Sequence, residues 1–253
     1  MTPQQFDELK KTYLENWPAG LAALSLKQIR IPLTLDEVRT LGQMNRLKPH
    51  WFVGDTVSLN RVLEKMEQAI RSMAIGAFVR LGSRSSKDSY HAISRGMYVT
   101  TAAFALELLT SKSERMAFDL FFALRYQYQP SLFVREWRHI PAWAEFRCFV
   151  KKRQLVGISQ YDCNNLGFCP QIHNNRINIE TALREYFLQM DRYCHLEDYV
   201  YDVFLRCDDD HLMTSIQVVL LELNPFGDNT DFCLFDRNNF TDLDGGFRYI
   251  QSI

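Results

Sequence analysis

No apolar run in this chain approaches the roughly 18 residues that a bilayer-spanning helix needs, so no membrane helix is expected. The 253 residues carry 29 basic and 30 acidic side chains, a net charge of −1. No excess of one sign is present to attract nucleic acid or an acidic membrane surface. The six cysteines, at 148, 163, 169, 194, 207 and 233, form no C-x-x-C pair, and the six histidines show no H-x-x-x-H spacing. Neither a zinc site nor a disulfide framework is expected, and a reducing cytoplasm fits this cysteine usage best. The polar N-terminal stretch Met1–Lys11 does not read as a secretory signal. Internal repeats, low-complexity segments and Gly/Ser-rich linkers are missing. So are G-x-G-x-x-G and G-x-x-x-x-G-K-[ST], which removes the dinucleotide fingerprint and the P-loop.

What is present is core-forming. Hydrophobic residues make up 47%, with 18 Phe and 11 Tyr, in a chain long enough for one large domain or two lobes. Helices are predicted over 3–16, 34–46, 58–73, 100–110, 112–128 and 177–192. Thr34 with Glu37, and Ser111 with Glu114, have the spacing of capping boxes. Val62, Met66 and Ile70 recur four apart on an amphipathic face, as do Ile179, Leu183 and Phe187, with Met190 following. Strands are predicted over 28–33, 74–81, 132–137, 144–151, 154–161, 199–206 and 215–224. Lys151-Lys152-Arg153 reads as a solvated hairpin turn. Asp208-Asp209-Asp210 reads as an acidic turn between the last two strands and lacks EF-hand spacing. This order points to α+β lobes with mostly antiparallel sheets rather than βαβ alternation. The expected division is 1–130, carrying helices and a polar loop, and 131–253.

Four segments carry chemistry. In Leu220-Leu221-Glu222-Leu223-Asn224-Pro225, strand alternation puts Glu222 and Asn224 on one face, about 6.5–7 Å apart, and turns Leu221 and Leu223 to the core. A carboxylate beside an amide oxygen makes a hard donor set suited to Mg²⁺. Asp202, in Val200-Tyr201-Asp202-Val203-Phe204, faces the same way if the two strands pair. Clustered carboxylates repel one another unless a cation intervenes. In Ala144-Glu145-Phe146-Arg147-Cys148-Phe149-Val150, Glu145 and Arg147 share a face, and Arg147 can offer its fork of N–H groups to phosphate or to a cross-strand acid. In Phe78-Val79-Arg80-Leu81-Gly82-Ser83-Arg84-Ser85-Ser86-Lys87-Asp88, a glycine, three hydroxyls and three cations could cradle phosphate; polar loops of this kind are also common without a ligand.

These segments, in this order, resemble the cell division cycle protein 123 family, a branch of the ATP-grasp superfamily. The resemblance rests on FVRLGSRSSKDS (78–89), LFVREW (132–137), AEFRCFVKKRQLVGISQYD (144–162), YDVFL (201–205), LLELNPFGDNTDFCLF (220–235) and NWPAGLAALSLKQIRIPL (16–33). It implies an ATP-grasp fold with ATP in the cleft between two α+β lobes, and Mg²⁺ as companion ion. It implies ATP contacts by Arg80, Ser85, Lys87 and Arg147, adenine held along Arg135-Glu136-Trp137, and the metal held by Asp202, Glu222 and Asn224. The chain departs from the family in having Arg80 for lysine, Gly82-Ser83 for Asn-Trp, Ser86 for proline and Glu222 for the eukaryotic aspartate. The implied function is ATP-dependent assembly of a protein client, which in eukaryotic relatives is translation initiation factor 2. The superfamily alternative is a carboxylate–amine ligase, or a related phosphoryl-transfer enzyme. No catalytic residue can be assigned from the sequence.

Overall fold

The computed structural model describes residues 1–165, 167–207, 215–227, 230–236, 238 and 242–251. The acidic triplet Asp208–Asp210 lies outside the described residues. Two compact units emerge: Lys27–Arg138, and Met1–Leu26 together with His139–Ile253. A division after residue 130 would cut a strand from both of its partners, as the pairing below makes plain.

In Lys27–Arg138, helix α3 (Leu35–Asn45) starts with the capping box expected of Thr34. Thr34 Oγ1 accepts from Glu37 N–H at 3.2 Å, and Glu37 Oε2 accepts from Thr34 N–H at 2.8 Å. The amphipathic α4 (Asn60–Arg71) buries Val62, Met66, Ala69 and Ile70. Helices α5 (Tyr90–Arg95), α6 (Ala102–Thr110) and α7 (Glu114–Arg125) complete the helical layer. The α7 cap is Ser113, not Ser111: Lys112 stands at φ 57°, so the chain turns there and the helix starts after it. Ser113 Oγ accepts from Met116 N–H at 3.1 Å, while Ser111 Oγ accepts from His91 N–H at 3.3 Å.

The sheet of this unit has the order β1 (Gln28–Pro32), β3 (Ser131–Glu136), β2 (Ala77–Leu81), all antiparallel. Alternation sorts it cleanly. Ile31, Val79, Leu81, Leu132 and Val134 join the helices in one apolar core. The opposite face carries Gln28, Arg30, Phe78, Arg80, Phe133 and Arg135, paired in register.

The second unit has α1 (Pro3–Lys10), α2 (Ala19–Ala22), α8 (Pro170–Asp191) and a five-stranded sheet. Its strands are β4 (Glu145–Lys151), β5 (Gln154–Gln160), β6 (Tyr199–Cys207), β7 (Ile216–Pro225) and β8 (Phe247–Arg248), in the order β7-β6-β4-β5-β8. All pairings are antiparallel except β5 with the short β8. The N-terminal segment is hydrogen-bonded to β7 of this unit: Leu220 N–H donates to Leu24 O at 3.0 Å, and the Ser25 hydroxyl donates to Leu220 O at 2.5 Å.

The β4–β5 hairpin turns through Lys152 and Arg153, at φ 49° and 58°. Two left-handed central residues define the type I′ turn that matches strand twist. Neither residue is Asn or Gly, and outside contacts help to hold them. Lys152 N–H donates to Asp198 Oδ1 at 2.7 Å, and Arg153 donates to Cys194 O at 2.9 Å and to Asp191 Oδ2 at 2.7 Å. The basic turn is thus tied to neighbouring chain as well as solvated. Helix α8 begins seven residues before the predicted start, with Pro170 in its first turn and Ile172 as its first buried residue. Its expected apolar stripe, Ile179, Leu183, Phe187 and Met190, is buried.

Candidate nucleotide and metal site

Three neighbouring strands set one row of side chains. Arg147 on β4 is in register with Ser159 on β5 and Asp202 on β6, and Asp202 is in register with Glu222 on β7. A bulge makes this alignment. Val203 pairs with Leu220 while Asp202 pairs with Glu222, so Leu221 is the extra residue. A bulge re-aims the side chains beyond it; here it puts Glu222 and Asn224 on the Asp202 face. The core position expected of Leu223 is observed, whereas Leu221, at the bulge, is only half-buried.

Arg147 and Asp202 are 6% and 1% exposed. Arg147 Nε and Nη2 donate to the two Asp202 oxygens at 2.7 and 2.8 Å. This is the bidentate fork of a strong charge-assisted pair. Arg147 Nη1 donates to Asp231 O at 2.9 Å, and the guanidinium lies 4.8 Å from the centre of the Tyr161 ring. Asn224 Nδ2 donates to Asp202 Oδ2 at 3.1 Å. Burial opposes the charge on Arg147, but the Asp202 carboxylate outweighs it and raises the guanidinium above its ordinary range. Burial raises the Asp202 carboxyl; Arg147 pulls it down, and the charge of Glu222, its cross-strand partner, raises it again. Burial also raises the Tyr161 phenol, with the Asp202 charge adding to it.

The segment above this row is anchored by aromatics. Phe232 and Phe235 pack on Phe149 and Val200, with Phe149 and Phe232 stacked at 5.2 Å. That packing sets Asp231 O on Arg147. The other sheet face carries Cys148 and Tyr201, near Tyr186 of α8.

The donor set fits a hard divalent cation. Two carboxylates and one guanidinium leave a net −1, all the anionic donors are oxygens, and the two carboxylates stand on paired positions of adjacent strands. Asn224 turns its amide nitrogen to Asp202, so its Oδ1 is the atom that can meet a cation.

The remaining sequence-derived residues lie in Lys27–Arg138. Arg80 is buried, with Nε on Leu81 O at 3.0 Å and Nη2 on Ser83 O at 3.2 Å. Ser85 is half-buried and Lys87 exposed. Arg84, counted among the loop cations, is held by Asp119 on α7: Nε donates to Oδ2 at 2.9 Å, beside Ser83 Oγ at 2.6 Å. Arg135 is fully buried. Glu136 N–H donates to Lys27 O at 2.9 Å, and Trp137 N–H to Gly76 O at 3.1 Å. These backbone donors are engaged in strand pairing. Glu145, which shares the Arg147 face by alternation, lies opposite Phe204.

Sequence reasoning missed Tyr161 and Asp231. Tyr161 falls at the end of a quoted segment, and an aromatic one residue past a strand end was the available signal. Asp231 acts through its main-chain carbonyl, which no side-chain pattern marks.

The D123 family model matches residues 43–250. A Xenopus laevis protein named translation initiation factor eIF2 assembly protein is 27% identical over 194 residues, covering 72% of this chain and 55% of that protein. The Schizosaccharomyces pombe protein of the same name is 26% identical over 186 residues, covering 68% and 54%. The chain spans about half the length of these curated relatives. The solved structure of Cdc123 from Schizosaccharomyces pombe superposes with a TM-score of 0.72 at 23% identity, over 92% of this chain and 90% of that one, and the two share a fold. No described helix is long and apolar enough to cross a membrane. With more than half of its length matched by one family model, the chain belongs to the D123 family.

Proposed function

We propose that this protein binds Mg-ATP in an ATP-grasp manner and uses it in assembling a protein client of the translation-initiation type. The observation that carries the nucleotide reading is the buried Asp202 carboxylate, in register with Glu222 on the adjacent strand and raised by burial and by that neighbour. Such a pair is relieved by a cation. Asp202, Glu222 and Asn224 would hold the magnesium, which when bound neutralises carboxylate charge and engages phosphate oxygens. Arg147 orients Asp202 through its fork and holds the Asp231 segment. Arg80, Ser85 and Lys87 are the proposed phosphate contacts of Lys27–Arg138, and Arg135-Glu136-Trp137 the proposed adenine strand.

The client reading is supported by the names of the relatives. A thermal-shift series tests the nucleotide reading. A ligand at about 100 times its Kd stabilises by about 2.7 kcal/mol, which is roughly 5–10 °C for a chain of this size. That rise is expected with Mg-ATP and not with ATP plus chelator. Equal midpoints under all conditions would overturn it. Retention of a purified translation initiation factor 2 γ subunit only in the presence of Mg-ATP tests the client.

A further inference from the structure

β7 is an edge strand of its sheet. On its outer side the N-terminal segment reaches it at one point, where Leu220 N–H donates to Leu24 O at 3.0 Å and Leu220 O accepts from the Ser25 hydroxyl at 2.5 Å. Both backbone groups of Leu220 therefore point away from β6, and Leu220 with Val203 is a non-hydrogen-bonded pair of the antiparallel ladder. From there the register runs without a further shift to Ile216 opposite Cys207. Hydrogen-bonded and non-hydrogen-bonded pairs alternate along such a ladder, so the N–H and C=O of Val218 and of Ile216 point outward too. Neither residue has a partner on that side among the described residues.

A cleft of about 400 Å³ lies along this edge, lined by Ile216–Val219 on one side and by Ala182, Glu185, Tyr186 and Gln189 of α8 on the other. Leu24 and Ser25 line it beside the bridge to Leu220. The Tyr186 hydroxyl donates to Leu24 O at 3.3 Å and ties α8 to that segment. Among the described residues Glu185 is the one charged side chain of the lining, and it is exposed and in no ion pair.

We propose that this edge of β7 docks an extended segment of another polypeptide, which adds as a strand outside Val218 and Ile216 and sets a basic side chain against Glu185. Outward N–H and C=O groups on every second residue match an extended backbone, which supplies acceptors and donors at the same repeat. The N-terminal segment already pairs with β7 in this way at Leu220, so the docked segment continues a pairing that the fold itself begins. Alternate side chains of an added strand fall on the α8 side, where Ala182 and Tyr186 suit apolar residues and the carboxylate of Glu185 calls for a cation. A second copy of this chain would bring the same carboxylate to the cleft and not its complement. Nothing in this docking depends on nucleotide.

The test is amide hydrogen exchange of the full chain, read at Ile216 and Val218 by NMR. The probe is the capped peptide Val-Thr-Lys-Thr-Val-Thr, whose Val, Lys and Val share one face, beside a version with Glu for Lys and a version with alternate backbone nitrogens methylated. Both amides should exchange freely in the dilute protein and slow by at least about tenfold with saturating peptide. The methylated peptide should give no slowing. The Glu peptide should bind roughly fivefold more weakly, and Glu185→Lys should reverse that preference. Val218→Pro removes an outward N–H that the ladder with β6 does not use; it should abolish the slowing at Ile216. Amides already protected in the dilute protein, no slowing with the Lys peptide, or binding indifferent both to methylation and to Glu185→Lys would overturn the proposal. So would protection that grows with protein concentration alone, which makes a second copy the occupant.

Discussion

Replacing Arg147 by methionine should reveal how much the buried Asp202 carboxylate depends on its partner. In the native protein both Asp202 oxygens receive Arg147 N–H groups, at 2.7 and 2.8 Å, and Asp202 is 1% exposed. Removing one partner of a buried pair costs about 3–5 kcal/mol, or roughly 10 °C in Tm for a protein of this length. The pH dependence is the sharper signature. Asp202 is raised above its ordinary value of 3.8 by burial first, with Arg147 opposing and Glu222 adding. A group with a raised folded pKa contributes stability that is complete below the unfolded pKa and is lost as pH rises through the folded one. Loss of Arg147 removes the opposing influence and raises Asp202 further. The deficit of Arg147→Met is therefore largest at neutral pH and shrinks on acidification toward pH 4, as Asp202 takes up a proton in the folded variant. Adding Asp202→Leu should recover most of the loss at pH 7. Thermal unfolding of the three proteins from pH 7 to 4 measures this. A deficit below about 1 kcal/mol at pH 7, or one independent of pH, would contradict the buried-pair reasoning.

Three further outcomes test the fold. Thr34→Ala should cost about 1 kcal/mol in equilibrium unfolding by removing the α3 cap, about the usual value of such a hydroxyl. Gly42→Ala gains about 1 kcal/mol of helix propensity, but the new methyl meets the Phe52 ring. Phe52 is 1% exposed and has little room to yield, so overpacking wins and the net loss should be about 1–2 kcal/mol, measured as a lower denaturation midpoint. Lys152→Gly should stabilise the fold by up to about 1 kcal/mol of relieved left-handed strain, read as a slightly higher Tm, because its N–H bond to Asp198 is kept.

Residues whose placement depends on local pattern were readable, and residues placed by distant contacts were not. Period-two alternation correctly puts Glu222 and Asn224 on one face, and the three-residue spacing of Thr34 and Glu37 correctly marks the start of α3. The bulge at Leu221, which aligns Glu222 with Asp202, leaves no mark in the hydrophobic pattern. The α7 cap was misplaced by two residues because the left-handed turn at Lys112 has no glycine to announce it. Arg84 looked like a phosphate-loop cation, but its partner Asp119 lies 35 residues away on a helix. The two-residue β8 is too short to show a period, and its parallel pairing with β5 comes from the chain returning to the sheet edge.

The central claim is that Asp202, Glu222 and Asn224 form the metal half of an ATP site. Calorimetric titration of the wild type and Glu222→Gln with ATP, each with and without Mg²⁺, tests it most directly. Glutamine keeps the shape of Glu222 and removes its charge. The account predicts Mg²⁺-dependent binding by the wild type and an affinity at least about tenfold lower, roughly 1.4 kcal/mol, in the variant. Equal Mg-ATP affinity in the two proteins, or no binding by the wild type, would contradict it.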